Sequence, residues 1–253
     1  MATAEELDPQ SIQGARVLVT GAARGLGRAL VTAFLDRGAA QVFATFRNAA
    51  SAAESPFTAD RRVEPLVLDV TSDDLVADAA RRCARVDILV NNAAVIFNTP
   101  ALGAPDIDRA WLEMETNYWG VLRMCRAFAR HLAASGRGAV VNILSLGALA
   151  PLPFCGTYCA SKAAAWSATQ SMRAEFRPRG VRVAAVFAGA IATDMTSAAL
   201  ANRCPPETMA AEILAALERG ELTIFPDAAS RAAAEIYGQG PWDLAKRFSG
   251  TAG

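Results

Sequence analysis

A serine, a tyrosine and a lysine pose the first question of function. Ser145 ends a strand-like run, and thirteen residues later comes Tyr158-Cys159-Ala160-Ser161-Lys162. Near a helix start, a spacing of four places the phenol and the ammonium group on one face. That pairing suits proton transfer. Free tyrosine ionises near pH ~10, so forming its anion at neutral pH costs roughly 4 kcal/mol. A unit charge about 4 Å away, at an effective dielectric near 20, offsets about that much. The spacing permits this chemistry without establishing it, since the same spacing is common on amphipathic helices.

A second pattern concerns phosphate. Arg16 to Thr20 reads as a short buried strand and runs into Gly21-Ala22-Ala23-Arg24-Gly25-Leu26-Gly27. Apolar residues at 26, 30, 31, 34 and 35 then recur at a helical period. Strand, glycine turn and helix form a context in which backbone amides at a helix N-terminus cradle a pyrophosphate. The glycine spacing is G-x-x-x-G-x-G, not the commoner G-x-G-x-x-G. On the plainer reading the glycines serve only tight packing in a βα turn.

The remaining elements must bring these two patterns together. Further strands are expected at 41–46, 66–70, 87–92, 139–144, 181–187 and 222–225. Between them lie a short helix within 49–64, one from the Ser72 cap through Ala84, and a long helix over 107–134 that carries Asn117. Helices at 158–176 and 207–218 follow, and a tail from Ala228 that is helical and then irregular. Alternating buried-type strands and helices predict an α/β fold, a doubly wound parallel sheet in one domain over residues 15–253. Residues 1–14 read as a flexible leader, and residues 194–218 as the loop and helix beside the substrate.

Composition narrows the function classes. Hydrophobic residues make up 53% of the 253, and 25 basic residues balance 25 acidic ones. That balance gives no electrostatic reason to expect nucleic acid or an acidic membrane surface. The apolar stretches are too short to span a bilayer, and the acidic start is unlike a secretory signal. Five scattered cysteines without a C-x-x-C pair read as reduced thiols in the cytoplasm. His131 is the single histidine, which argues against a histidine-based triad or a multi-histidine metal site.

Taken in order and at their separations, these motifs resemble the short-chain dehydrogenase/reductase family of about 250 residues. The likeness runs from Arg16 to Met195. It rests on T-G-A-A-R-G-L-G at 20–27, Asp69-Val70, N-N-A-A at 91–94, Asn117, Ser145, Tyr158 with Lys162, and F-A-G-A-I-A-T from 187. The resemblance implies an oxidoreductase on a Rossmann fold. In it, Tyr158 is the general acid in reduction and the base in oxidation, and Lys162 holds the nicotinamide ribose and stabilises the phenolate. Ser145 orients the substrate oxygen, and Asn117 holds a water that links Lys162 to solvent. Gly21, Arg24, Gly25, Leu26, Gly27, Arg47, Asp69, Val70, Asn92, Ala93, Gly189, Ile191 and Thr193 are implied in cofactor binding, with Tyr158 and Lys162. Two departures stand out: Ala94 replaces the glycine of N-N-A-G, and Ala188 replaces the proline of the usual Pro-Gly.

Within that frame the expected cofactor is NADP(H). NAD-selective members carry an acid at the end of the second strand, whereas this chain has Phe46, then Arg47, with Arg24 in the glycine turn. Two guanidinium groups near one phosphate form charge-assisted bonds. Homo-oligomers of relatives pack through the helices of Asn117 and Tyr158, which here carry Trp119, Met124, Phe128, Trp166 and Met172. The expected substrate is a bulky apolar ketone, because Val95, Ile96, Phe97, Leu146, Leu149, Leu152, Phe154, Phe187 and Met195 surround the chemistry in the family geometry. An acyl thioester ranks second, since the final strand lacks a V-N-G-G-type ending. A non-catalytic dinucleotide-binding regulator stands as the third reading.

Overall fold

Short runs of aliphatic residues, each followed by an amphipathic segment, can pair in parallel only through helical crossovers, and that is what this chain does. The computed structural model describes residues 10–57, 59–103, 107–195 and 202–249. Its strands are β1 (Arg16–Val19), β2 (Gln41–Phe46), β3 (Val63–Val67), β4 (Ile88–Asn91), β5 (Ala139–Ile143), β6 (Arg182–Val186) and β7 (Thr223–Ile224). They form one sheet in the order β3-β2-β1-β4-β5-β6-β7, and every pairing is parallel. The order reverses between β1 and β4, so a crevice opens beyond the carboxyl ends of those two strands.

Both faces of the sheet are covered, and alternate strand residues feed different cores. Val17, Val19, Ile88 and Val90 pack with α1 (Gly25–Asp36) and α7 (Pro206–Glu218). Leu18 and Leu89 pack on the other face with α3 (Asp73–Arg82), α5 (Gly120–Ala134) and α6 (Gly156–Phe176). The short α2 (Ala49–Ala53) and α4 (Asp108–Met114) complete the crossovers. After β7 the chain forms α8 (Ala228–Gln239) and α9 (Pro241–Ser249), so the tail expected to turn irregular holds a second helix. Leu244 of α9 is buried in a third apolar cluster, with Leu144, Leu146 and Phe187.

Three expectations are revised. Strand β3 starts at Val63, not Leu66, and runs through Pro65, because it is an edge strand whose outer side needs no backbone donor. The long helix over 107–134 is interrupted by a π-helical turn at Glu115–Trp119, which separates α4 from α5 and carries Asn117. Residues 10–14, expected in a flexible leader, are packed. Gln10 donates its amide to Leu217 O at 3.2 Å, and Ile12 lies in the core. Residues 1–9 lie outside the described range.

Candidate active site

The glycine turn owes its shape to two positions. Gly21 adopts φ +70°, a left-handed conformation that side chains disfavour. At Gly27 a Cβ would lie 2.1 Å from Gly21 O, so only a glycine lets α1 start against the turn. Arg24 occupies the N-cap of α1 without a side-chain cap, and no acidic residue occupies the first turn. The opening amides and the positive end of the helix dipole therefore face the cleft, as a diphosphate requires.

Thr20, which the motif contains but to which the sequence assigned no role, fastens this turn to β4. Its hydroxyl accepts the Asn92 and Ala93 amides at 2.9 and 3.0 Å and donates to Val90 O at 3.2 Å. Asn92 returns the contact, its side-chain amide reaching Thr20 O at 2.8 Å and Gly21 O at 3.2 Å. Asn92 thus braces the turn through its own side chain. Thr193 packs on the same turn, 2.9 Å from a Cβ built at Gly25.

All fifteen of the implied cofactor residues from Gly21 to Thr193, Tyr158 and Lys162 included, line one continuous cleft of about 1550 Å³ with Ser145, while Asn117 does not. Asp69 stands past the end of β3, its carboxylate accepting from the Thr71 amide and hydroxyl at 2.9 and 2.7 Å. Arg47 lies 3.8 Å from that carboxylate, and Arg24 pairs with Asp194 at 3.0 Å. Both arginines are largely exposed, so these pairs contribute little to stability and yield readily to a stronger anion. Gly189 is held from behind, because Asp227 accepts its amide at 2.9 Å while capping α8 through Ser230 N at 2.9 Å. Asp227 thus has two duties, as the cap of α8 and as the clamp on Gly189.

The chemical groups meet at the ends of β5 and α6. Ser145 is the last residue before a 3₁₀ turn, and its Oγ accepts the Gly147 amide at 3.1 Å. Tyr158 lies in the first turn of α6, with Lys162 Nζ 5.8 Å from the ring centre. Burial pushes the Tyr158 hydroxyl above its ordinary range, and the bond from Ser145 only partly opposes this. The phenol therefore holds its proton more firmly than free tyrosine does. Lys162 donates to Ile143 O at 2.9 Å, and burial lowers its pKa to about 8.

Asn117 lies behind these residues, outside the cleft lining, and is fully buried. Its Oδ1 accepts the Val95 amide at 2.9 Å, and its Nδ2 donates to Val95 O and to Ser161 Oγ, each at 2.9 Å. Ser161 in turn donates to Tyr158 O at 2.7 Å, which ties the π turn to the tyrosine's helix. Glu113 adds a brace that no pattern announced, accepting the Phe97 amide at 2.8 Å from a buried position.

A parallel sheet that gathers a phosphate cradle and a phenol–ammonium pair along one edge defines a dinucleotide-dependent oxidoreductase. Comparison with known proteins makes the class specific. The profile of the family described as short chain dehydrogenase matches residues 15–203, and the chain belongs to that family. It is 35% identical over 201 residues to a gluconate 5-dehydrogenase of Gluconobacter oxydans, covering 76% of this chain and 77% of that one. It is 35% identical over 207 residues to a D-erythrulose reductase of Gallus gallus, covering 77% and 82%. A short chain dehydrogenase from Burkholderia cenocepacia, solved in complex with NADP, superposes with a TM-score of 0.88 at 37% identity, covering 94% of this chain and 98% of that one. The protein is accordingly an NAD(P)-dependent oxidoreductase acting on alcohol and carbonyl groups.

Among the described residues, no helix is long and apolar enough to cross a membrane, and no group of three potential ligands could hold a metal ion.

Proposed function

We propose that the protein is an NADP(H)-dependent carbonyl reductase whose substrate is a bulky apolar ketone or the corresponding alcohol. The observation that carries this reading is the lining of the cleft beside Ser145 and Tyr158, where Val95, Ile96, Phe97 and Met195 stand. A carboxylate or phosphate brought there would lose hydration without replacement. The remaining residues expected around the substrate lie elsewhere. Phe187 is buried and stacks on Phe225 at 5.2 Å, Leu146 is in the core, and Leu149, Leu152 and Phe154 lie off the cleft. Helix α7 packs Ile213 and Leu214 into the core and meets the cleft only at its first turns, while residues 196–201 lie outside the described range.

In this reading the dinucleotide, when bound, supplies the hydride. Gly21, Gly25, Leu26 and Gly27 hold its diphosphate, Asp69 and Val70 flank the adenine, and Arg24 with Arg47 bind the 2′-phosphate. Ala93, Gly189, Ile191 and Thr193 line the nicotinamide side, with Asn92 bracing the turn. Ser145 hydrogen-bonds the carbonyl oxygen, Tyr158 gives that oxygen its proton, and Lys162 binds the ribose and steadies the phenolate left behind. At neutral pH the buried phenol carries the proton that reduction takes from it. Asn117 positions Val95 and Ser161, and its remaining route to a relay water is the second lone pair of Oδ1 or its main-chain carbonyl.

The test is kcat/KM for an aryl or cyclic ketone, a short sugar and an acetoacetyl thioester, each with NADPH and with NADH. Polyol chemistry belongs in the panel because relatives bear names such as gluconate 5-dehydrogenase and D-erythrulose reductase. The ketone with NADPH is expected to lead. Two charge-assisted bonds to the 2′-phosphate, at about 1.5 kcal/mol each, put NADH behind by on the order of a hundredfold. Preference for the sugar or the thioester, or equal use of NADH, overturns the corresponding part.

The chain is further read as a homodimer or homotetramer in the cytoplasm. Its five cysteines are unpaired, as in a reducing compartment. The apolar bulk expected at the interface is largely internal, because Met124, Phe128 and Met172 are buried and Trp166 packs on Phe187. What supports association is exposed Trp119 and the groove of about 800 Å³ between α5 and α6, lined by Tyr118, Leu122, Ala168 and Met172. Sedimentation at micromolar concentration is expected to show a multiple of 26.6 kDa, and a purely monomeric boundary refutes the assignment.

A further inference from the structure

Two thiols lie against one another beside the residues that carry the chemistry. Cys155 and Cys159 flank the first turn of α6 with their sulfurs 3.8 Å apart, and both are buried. Cys159 follows Tyr158 directly in the chain, and its sulfur supports two turns of the catalytic segment. It accepts the Leu152 amide at 3.3 Å, and a Cβ built at Gly147 would stand 2.7 Å from it. The Gly147 amide in turn bonds Ser145 Oγ at 3.1 Å. The sulfur of Cys159 is thus linked through one residue to Ser145 and by the chain itself to Tyr158.

The two sulfurs are chemically unlike. The facing Cys155 thiol draws Cys159 below the ordinary thiol range, the Leu152 amide adds to this, and burial opposes it. Cys155 is held above that range by the same contact. One sulfur is disposed to be a thiolate and its neighbour keeps its proton, the division of labour between an attacking and a resolving thiol. Elsewhere, burial is the main cause holding Cys83 and Cys125 up at about 12.

We propose that Cys155 and Cys159 form a dithiol modification site, which hydrogen peroxide converts to an intrachain disulfide that disables the adjoining Ser145 and Tyr158. The Cys159 thiolate attacks the O–O bond, hydroxide leaves, and a sulfenic acid remains. The Cys155 sulfur then displaces the hydroxyl from Cys159, and its proton joins that hydroxide as water. Two thiols and one peroxide give one disulfide and two waters, with two electrons passing from sulfur to oxygen. Closure brings the sulfurs to about 2.05 Å, drawing Cys159 off the Leu152 amide and from beneath Gly147. Burial restricts the reaction to oxidants close to water in size, and excludes bulky alkylating reagents. The loss of turnover rests on the catalytic reading above; formation of the bond does not.

The experiment uses the full-length protein carrying Cys204→Ser, which removes the partly exposed thiol as a source of cross-links. After peroxide treatment, alkylation in denaturant and trypsin digestion, one peptide, residues 138–162, carries both sulfurs. That peptide is expected to lose two hydrogens and to escape alkylation. Ketone reduction should fall in step by on the order of a hundredfold, the scale of an ångström misplacement at reacting atoms. Dithiothreitol should restore both. A second protein, Cys155→Ser, is expected to show oxygen adducts on Cys159 and no loss of two hydrogens. The proposal is overturned if both thiols stay alkylatable at a peroxide dose that oxidises Cys204 in the parent protein. It is equally overturned if the disulfide forms while turnover persists, or if turnover is lost without it. Should no carbonyl substrate be found, the peptide mass still decides whether the site exists.

Discussion

Tyr158→Phe is expected to lower kcat by on the order of a thousandfold, within the range of a lost general acid, while the dissociation constant for NADPH stays nearly unchanged. The separation follows from where the parts lie. The phosphate cradle is fixed by Gly21, Gly27, Thr20 and Asn92 on β1, α1 and β4, none of which touches the phenol in forming the turn. Removing one oxygen from α6 leaves those bonds intact and takes away the proton that the substrate oxygen must receive. The ring itself stays, so the packing of the helix is preserved. Stopped-flow or steady-state turnover, set beside a fluorescence titration with NADPH, checks both halves. A variant that keeps more than a few per cent of turnover removes Tyr158 from its assigned role.

Lys162→Met is expected to raise stability as it abolishes efficient turnover. Burial lowers the Lys162 pKa from 10.5 to about 8, so at neutral pH the fold holds a charge that the unfolded chain carries more easily. That difference costs about 3 kcal/mol, and loss of the bond to Ile143 O returns about 1 kcal/mol against the gain. A net gain of about 2 kcal/mol corresponds to roughly 4–8 °C in melting temperature for a chain of this size. The sign with pH follows from proton counting. Between pH 8 and 10.5 the unfolded wild-type chain binds more protons than the folded one, so this group's penalty is full below pH 8 and fades as pH rises to 10.5. Activity runs the other way, falling as the pH climbs through about 8 and the ammonium is lost. Thermal unfolding of both proteins at pH 7 and pH 10 checks the claim; a variant less stable than wild type at pH 7 contradicts it. The cation would then be kept for chemistry at the expense of stability.

The sheet was readable because its strands are aliphatic runs bounded by turn residues, and a strand such as Gln41–Phe46 has the same bounds in sequence and structure. Pro65 hid the start of β3, since nothing local says whether a strand lies at an edge. The π turn at Glu115–Trp119 left no mark in the periodicity. It exists because Asn117 must meet Val95 and Ser161, partners 22 and 44 residues away along the chain. Site residues on strand ends and glycine turns could be located because spacing and backbone chemistry are local. Braces such as Thr20, Glu113 and Asp227 could not be assigned, because each acts on a segment distant in sequence. The electrostatics were legible least of all. Spacing puts Lys162 near Tyr158, but only the fold shows the burial that raises the phenol.

The bond from Gly189 to Asp227 joins segments that leave the ribosome at different times. A chain leaving the ribosome can close Gly21 against Asn92 once residue 93 has emerged, because β1, α1 and β4 are all made by then. Ser145, Tyr158 and Lys162 appear next. The loop after β6 gains its clamp only when residue 227 arrives, and the cluster behind Leu146 is sealed later still by Leu244. The cleft is therefore finished in the order in which it is translated, its phosphate end first. A product ending after α7 would carry the phosphate turn but lack the Asp227 clamp on Gly189.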